Sequence, residues 1–315
     1  MSLKYSSQLS TIGTAYEGET PSELAQKAKL DWNVVVTPAN YTVGELTYQS
    51  KATNIIVRED KPEVQLGDCG TKWKPLQNVN ILESVIEFCK NSPFLKLDRV
   101  GCFKNGKTIW ASIQTDKVIK LAGEDLISGK LLLVNSHDYA NGMLVKLILD
   151  REVCFNQLAV GVQTKTKVYA HSKFLDQSKV MSVLAGFHNQ FNQFKENAEL
   201  LSNTSMDLDL FYRLVIKEFG NIEKMNHQKA HLSDLDEQPK AVKQIVQLYS
   251  GAGMGSTMLS SYNTYFGALN ACTEYVNHNS KKTGGLEGHI NSLWLESKAR
   301  KQQNVYKQLV SLSRV

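Results

Sequence analysis

The spacing of apolar residues changes near residue 175 of this 315-residue chain, and this change constrains the fold more than any other feature. Before it, short runs such as 34–37 and 54–58 are rich in β-branched residues and bounded by Pro, Gly or Asn, which is typical of strands. After it, helical spacing dominates, over 175–202, 207–219, 238–250, 256–278 and 287–312. The predicted fold class is therefore α+β: a mostly antiparallel β-sheet core with packed helices, followed by an α-helical C-terminal half.

Three regions are predicted along the chain. Residues 1–20 are rich in Ser, Thr and Gly and are expected to form a flexible N-terminal arm. Residues 21–174 form an α+β core domain, and residues 175–315 form a helical C-terminal region. At the first boundary, Thr20-Pro21-Ser22-Glu23 predicts the start of a helix, because Thr is a favoured N-cap and the Glu three residues later completes a capping box.

Local signals predict individual elements of the core. Asn78 is a candidate N-cap for a helix over 79–90. Asn105-Gly106 favours a two-residue hairpin turn, because both residues tolerate a positive φ. The segment 152–160 is expected to open a helix. The predicted strands of the central sheet are 98–104, 108–115, 130–135 and 143–150.

Composition excludes several classes of protein. Hydrophobic residues make up 42% of the chain and charged residues 21%, and no apolar run reaches the length of about 18 residues that would indicate a transmembrane helix. The N-terminus lacks the apolar segment of a secretory signal. Five scattered cysteines without a Cys-x-x-Cys pair argue against a disulfide framework and a zinc ribbon, and favour a reducing cytoplasm.

Basic and aromatic residues interleave in the middle of the chain. The net charge is +5, and residues 72–130 contain ten Lys or Arg against six Asp or Glu. Single-stranded nucleic acid is held by this combination, since cations neutralise phosphates and flat side chains stack on bases. Two interpretations of Lys72-Trp73-Lys74 stay open, because a strand with solvated lysines outside and the tryptophan in the core has the same pattern.

The segment Asn135-Ser136-His137-Asp138 ends an apolar run abruptly. It is either a hydrogen-bonded turn or part of a reactive site. An acid–base site would also use Arg151, Asn156 and His171, and Cys154 would pair with a histidine if it were a nucleophile. The spacing of these residues matches no metal motif, and the glycines at 251, 253 and 255 lack the Gly-Lys-Ser/Thr ending of a nucleotide-phosphate loop.

Seven segments, taken in order, resemble the phage- and plasmid-borne proteins grouped as domain of unknown function 932, the phage/plasmid-like protein family. They are LAQKAKLDWNV, VREDKPEVQLGDCGTKWKPLQN, GCFKNGKTIWASIQ, LLLVNSHDYANGMLVKL, REVCFNQLAVG, VYAHS and YNTYFGALNACTEYVNHNS. Two positions depart from the pattern of that family, Lys72-Trp73 and Phe155. The resemblance implies a mobile genetic element in a bacterial cytoplasm and a distant relationship to phage single-strand annealing proteins, which assemble into rings or filaments with a basic groove for DNA.

The leading hypothesis is a single-stranded DNA-binding and annealing protein that acts as a homo-oligomer, without bond chemistry, cofactor, metal or membrane. The alternatives are a nucleic-acid enzyme, metal-dependent or acid–base, centred on His137 and Asp138, and a counter-defence or regulatory module that acts through protein contacts. The residues expected to contact DNA are Lys72, Trp73, Lys74, Lys104, Lys107, Trp110, Asn135, His137, Arg151, Lys165, Lys167 and Tyr169.

Overall fold

A computed structural model describes residues 11–138, 144–161, 177–220, 228 and 230–314. Antiparallel sheets occupy the N-terminal half of the chain and helices the C-terminal half, which confirms the α+β prediction. The strands are β1 (Thr14–Ala15), β2 (Val34–Val43), β3 (Leu46–Arg58), β4 (Gln65–Gly70), β5 (Leu95–Phe103), β6 (Thr108–Leu121), β7 (Asp125–Ser136), β8 (Leu144–Arg151) and β9 (Asn156–Gly161). The helices are α1 (Pro21–Lys27), α2 (Asn78–Lys90), α3 (Gln177–Asn203), α4 (Leu208–Phe219), α5 (Lys240–Gln247), α6 (Tyr265–Glu274), α7 (Gly285–Leu295) and α8 (Ser297–Leu312).

The larger sheet has six strands in the order β1-β5-β6-β7-β8-β9 and is covered on both faces. Successive side chains of β7 show this directly, because Leu131 and Leu133 belong to one hydrophobic cluster and Leu132 and Val134 to another. The first cluster also contains residues of α2, α3 and α6, and the second is closed by Trp294 of α7. The sheet half and the helical half of the chain therefore share their buried core.

The smaller sheet has the order β2-β3-β4. Its strands β2 and β3 form a long hairpin, and β4 pairs only with residues 53–57 of β3. The far part of this hairpin therefore extends beyond the third strand.

The N-terminal residues that the structure describes are part of the fold. Thr20 caps α1 and Glu23 bonds back to it, so the predicted capping box is confirmed. Thr14 and Ala15 pair with β5, and Ile12 is buried in the second cluster. The flexible arm predicted over residues 1–20 therefore does not include Ile12, Thr14 and Ala15, which are part of the fold.

The structure changes three sequence predictions in the N-terminal half of the chain. Residues 152–160 do not open a helix: a tight turn follows Arg151, and β9 pairs antiparallel with β8. Its first four residues are all buried, so the alternation that marks a half-exposed strand is missing. The β5–β6 hairpin is confirmed, but its loop spans residues 104–107, because Phe103 pairs with Thr108. The residue before α2 is Gln77, while Asn78 lies inside the helix.

Two helical predictions also change. The segment predicted as 256–278 becomes helical only at Tyr265, because residues 253–262 form successive turns. The segment predicted as one helix over 287–312 forms two helices, because Glu296 has the non-helical backbone angles φ −121° and ψ −138°. Within the described residues, no helix is long and apolar enough to cross a membrane.

Candidate nucleic-acid interface

The segment Asn135-Ser136-His137-Asp138 is a joint between the two sheets. Asn135 is buried and pairs with Ile109, so its predicted contact with DNA is wrong, and the backbone N–H of His137 donates to the carbonyl of Lys107 at 2.7 Å. On the other side, Gly67 of β4 approaches so closely that a Cβ there would come within 2.7 Å of the Asp138 Cα. Asn135 and Ser136 therefore belong to β7, which His137 and Asp138 close, and the turn predicted to begin there continues outside the described residues.

His137 is enclosed rather than presented to solvent. Its side chain is 1% exposed, and its Nε2 lies 2.9 Å from Oδ1 of Asn78. Asn78 in turn donates from Nδ2 to the carbonyls of Leu30 and Trp32, each at 3.1 Å. Burial lowers the pKa of His137 to about 4, partly opposed by the charge of Asp138. A neutral, enclosed ring suits a structural link, and neither acid–base catalysis nor a DNA contact at this position is supported.

Arg151 is also internal. It is 3% exposed and forms a bidentate ion pair with Asp125, which is fully buried, with N–O distances of 2.7–3.0 Å. The guanidinium also donates to Oγ of Ser261 at 2.9 Å and to the carbonyls of Met254 and Gly255 at 3.3 Å. Its predicted role on DNA phosphates is therefore wrong, because its donors are directed to the loop that precedes α6.

Cys154 and Asn156 lie beside this ion pair. Burial raises the pKa of the Cys154 thiol to about 12, against the opposing charge of Arg151. A protonated, enclosed thiol is a poor nucleophile. The described residues contain no group of three or more His, Cys, Asp or Glu that is arranged to hold a metal ion.

The prediction that Trp110 stacks on DNA bases is wrong. It is 2% exposed, stacks on Phe103 with ring centroids 5.6 Å apart and meets the Trp294 ring edge-on at 5.4 Å. Strand alternation alone does not reveal that α7 covers this face of the sheet.

Lys104 is brought to the break between α7 and α8. Its ammonium pairs with Glu296 at 2.5 Å, while its side chain stays 54% exposed. Lys107, in the same hairpin loop, is partly buried. We call the basic surface at the helix break the junction patch; its members are Lys104, Lys281, Lys282, Lys298 and Arg300.

Contacts between distant segments hold the junction patch together. Lys298 Nζ donates to the Lys281 carbonyl at 2.8 Å and lies 2.6 Å from Nδ1 of His289. Since Nε2 of His289 faces the Asn277 carbonyl at 2.7 Å, the imidazole donates there and accepts from Lys298. Lys281, Lys282 and Arg300 are exposed.

The positive charges in the junction patch repel one another. Burial lowers the pKa of Lys298, and the charge of Lys282 lowers it further. Beneath the patch, Lys146 donates to the Trp294 carbonyl, and burial lowers its pKa to about 8 with a contribution from Arg300. A bound anion would relieve this repulsion, so the geometry suits an anionic ligand.

The acidic residues of this region do not cancel its charge. Residues 280–314 contain seven Lys or Arg and two Glu. One of these, Glu296, pairs with Lys104, and this pairing lowers the pKa of its carboxyl. The other, Glu287, lies in the first turn of α7.

Lys72, Trp73 and Lys74 lie outside the sheet. β4 ends at Gly70, whose carbonyl accepts from the Trp73 N–H at 3.1 Å to close a turn. The strand alternation predicted for these residues is therefore wrong. Both lysines are exposed, and the Trp73 ring is half-buried against the first hydrophobic cluster. Lys165, Lys167, Tyr169 and His171 lie outside the described residues.

The sequence prediction misses most of the junction patch. A signal is present in the surplus of cations after residue 280, but no sequence pattern indicates that Lys104 joins them. The prediction also misses the exposed tyrosines Tyr41 and Tyr48 on the long hairpin, whose rings stack with centroids 5.7 Å apart.

One comparison with known proteins gives a match. The family model described as "Domain of unknown function (DUF932)" matches residues 65–312, more than half of the chain. The match excludes the first of the seven resembling segments, at 24–34, and begins within the second. No curated protein and no solved structure matches the chain.

Proposed function

Because the chain belongs to the DUF932 family, whose description assigns no activity, we propose from the candidate site that the protein binds single-stranded DNA at the junction patch and anneals complementary strands as a homo-oligomer. The proposed setting is recombination of a phage or plasmid in a bacterial cytoplasm. Annealing breaks and forms no covalent bond, so it needs only neutralised phosphates and bases held free to pair.

The clustering of cations in the junction patch carries this proposal. Lys104, from the β5–β6 loop, pairs with Glu296 at the helix break, and Lys298 of α8 donates to the Lys281 carbonyl of the loop before α7, although about 190 residues separate Lys104 from these cations in sequence. A fold that gathers like charges loses electrostatic stability, and a phosphate backbone recovers it with release of counterions. Partial burial of Lys298 strengthens its interaction with a bound phosphate, because the local dielectric is lower.

A tryptophan at the edge of the core favours single strands over duplexes. Trp73 is half-buried between the exposed Lys72 and Lys74, and a ring that is open on one side between two cations is the combination that stacks on an unpaired base. Lys72 and Lys74 extend the phosphate contacts at this second location. The buried His137, Arg151 and Trp110 have no part in the proposal.

The salt dependence of binding tests the proposal. A fluorescein-labelled dT40 strand is titrated with the protein between 50 and 200 mM NaCl, and anisotropy gives the dissociation constant. Each phosphate contact on a single strand contributes about 0.7 to the slope of log K against log[salt]. The triple variant Lys281→Gln, Lys282→Gln, Arg300→Gln is therefore expected to lower that slope by about 2 and to weaken binding at 50 mM by about tenfold or more.

A matched control removes three exposed lysines elsewhere. Lys90, Lys96 and Lys195 lie on α2, β5 and α3. Their triple Gln variant has the same net charge as the patch variant and is expected to keep the wild-type slope. Absence of binding at 50 mM, or equal losses in both triple variants, would contradict a DNA site at the junction patch. A fluorescence assay with two complementary labelled strands then measures annealing separately.

A further inference from the structure

The far part of the β2–β3 hairpin, residues 40–49, is called the outer hairpin. Its cross-strand pairs are Asn40 with Gln49, Tyr41 with Tyr48, Thr42 with Thr47, and Val43 with Leu46. A register shift separates it from the root of the hairpin, where Val34 pairs with Arg58. All ten residues of the outer hairpin are exposed.

The two faces of the outer hairpin differ in chemistry. One face carries Tyr41, Val43, Leu46 and Tyr48, which are 44–63% exposed. The other carries the polar partners, with the hydroxyls of Thr42 and Thr47 3.3 Å apart. An alternating strand pair normally packs its apolar face, so these side chains lack neighbours and gain same-face contacts when further strands are added beside them.

One edge of the outer hairpin is open as well. β4 pairs with β3 only from Thr53 onward, so within the described chain residues 46–49 of β3 have no strand on that side. A two-stranded ribbon on its own is marginally stable in water, and an unpaired edge is a template for another strand. The outer hairpin therefore gains stability from an added strand.

Charge identifies the partner. Residues 40–49 contain Glu45 as their single charged residue, so the outer hairpin does not attract a phosphate backbone. Lys51 lies just beyond, exposed, and within the described residues neither side chain forms an ion pair. Both residues are three positions from Tyr48. Glu45 lies in the turn before β3, and Lys51 lies in the stretch between Gln49 and Asn54 that the register shift leaves unpaired with β2. Antiparallel pairing of β3 with itself, centred on Tyr48, therefore brings Glu45 of one copy close to Lys51 of a second copy.

We propose that two copies of this chain associate through their outer hairpins, with β3 against β3 in antiparallel register about a two-fold axis at Tyr48. The result is a four-stranded ribbon in which the two Tyr48 rings meet and two Glu45–Lys51 pairs form across the axis. Such a contact is isologous, since the same surface serves both copies. It supplies an interface for the oligomer of the proposed function but rests on the outer hairpin alone, and DNA binding at the junction patch is independent of it.

Charge reversal tests the register. Sedimentation velocity over 1–100 µM gives the dissociation constant of the dimer for wild type, Glu45→Lys and Lys51→Glu. Each single variant turns two attractive pairs into two repulsive ones, so the constant is expected to rise about tenfold. An equimolar mixture of the two variants restores attraction between the copies of a mixed dimer, and association is expected to recover from the level of either variant alone.

Disulfide trapping tests the centre of the contact. In Tyr48→Cys the two introduced thiols face each other across the axis, so mild oxidation is expected to give a dimer on non-reducing gels. Wild type, with its five native cysteines, and Val118→Cys at an exposed site of β6 serve as controls.

Each of four outcomes would overturn the proposal. They are a wild-type protein that stays monomeric at 100 µM, single charge variants that associate normally, a mixture without recovery, and a Tyr48→Cys variant that forms no disulfide-linked dimer. DNA binding measured at nanomolar protein remains a separate readout, so failure of the dimer and failure of the DNA site are distinguishable.

Discussion

Asp125→Ala is expected to lower the free energy of unfolding by about 3–5 kcal/mol, because it leaves the buried Arg151 guanidinium without its counter-charge. The variant also removes the acceptor of the Ser260 hydroxyl, 2.6 Å away. Urea unfolding followed by circular dichroism measures the loss, which is a large share of the roughly 5–15 kcal/mol that stabilises an ordinary domain. If Asp125→Ala does not fold, Ser261→Ala gives a graded test, since it removes one hydrogen bond to a charged group, worth about 1.5–3 kcal/mol.

The control is an ion pair at the surface near the same strands. Glu124 lies next to Asp125 in sequence and pairs with Lys120 at 2.8 Å, where both side chains are exposed. Glu124→Ala is expected to leave the urea midpoint close to that of the wild type, because solvent screens an exposed pair. A urea midpoint for Asp125→Ala equal to that of Glu124→Ala would contradict the role assigned to the buried pair.

Asp125→Ala is also expected to have a local effect on the loop before α6. Arg151 binds the carbonyls of Met254 and Gly255, and Glu274 accepts from the Met254 N–H at 2.9 Å. The loop before α6 is thus anchored by hydrogen bonds to Arg151 of the sheet and to Glu274 of α6. Faster proteolytic cleavage within 253–262 is expected in Asp125→Ala at urea concentrations where both proteins remain folded.

His137 is expected to make stability depend on pH between 6.5 and 4. Burial lowers its pKa in the folded protein to about 4, while the unfolded chain binds a proton near pH 6.5. Between these values the unfolded state holds more protons, so the free energy of unfolding falls as the pH falls. The full difference corresponds to roughly 3 kcal/mol, present above pH 6.5 and lost near pH 4. Urea midpoints at several pH values measure it.

Variants isolate this contribution from the carboxylates that titrate in the same range. His137→Gln is expected to be less stable than wild type at pH 7, and the difference is expected to shrink as the pH is lowered to 4. The exposed His231 provides the control, since its side chain is 66% exposed beside Asp209. His231→Gln is expected to follow the wild-type pH profile. A constant gap between wild type and His137→Gln would show that His137 does not titrate as proposed.

The sequence predicts the elements of this fold better than their exposure. Period-two alternation identifies β6 and β7. The same alternation also fits a sheet that is open to solvent on one side, and for that reason the sequence favours a DNA contact for Trp110, which is in fact buried. The local hydrogen-bonding preferences of its residues predict a turn for the Asn135–Asp138 segment. Its burial depends on Asn78 and Gly67, which no local pattern connects to it.

The candidate site depends still more on tertiary contacts. Lys104 is the residue of the junction patch that the sequence indicates, because it lies in a basic and aromatic stretch. Its neighbours in space come from the end of the chain. They lie at the helix break at Glu296, which the sequence does not predict because the apolar residues of 287–312 fit one continuous helix. The sequence likewise predicts strands at 34–37 and 54–58, on either side of the outer hairpin, but it does not predict the exposed apolar face between them, since exposure is a property of the assembled sheet.

The second hydrophobic cluster has a consequence for biosynthesis. Trp110, Leu132 and Ile148 form one face of the central sheet, and Trp294 closes over them. A ribosome therefore completes the sheet long before it delivers the residue that covers this face. During that interval the nascent chain presents a broad apolar surface, which favours aggregation and chaperone capture. Slower elongation after residue 161 would lengthen this exposure, so soluble yield is expected to depend on translation speed in the helical half.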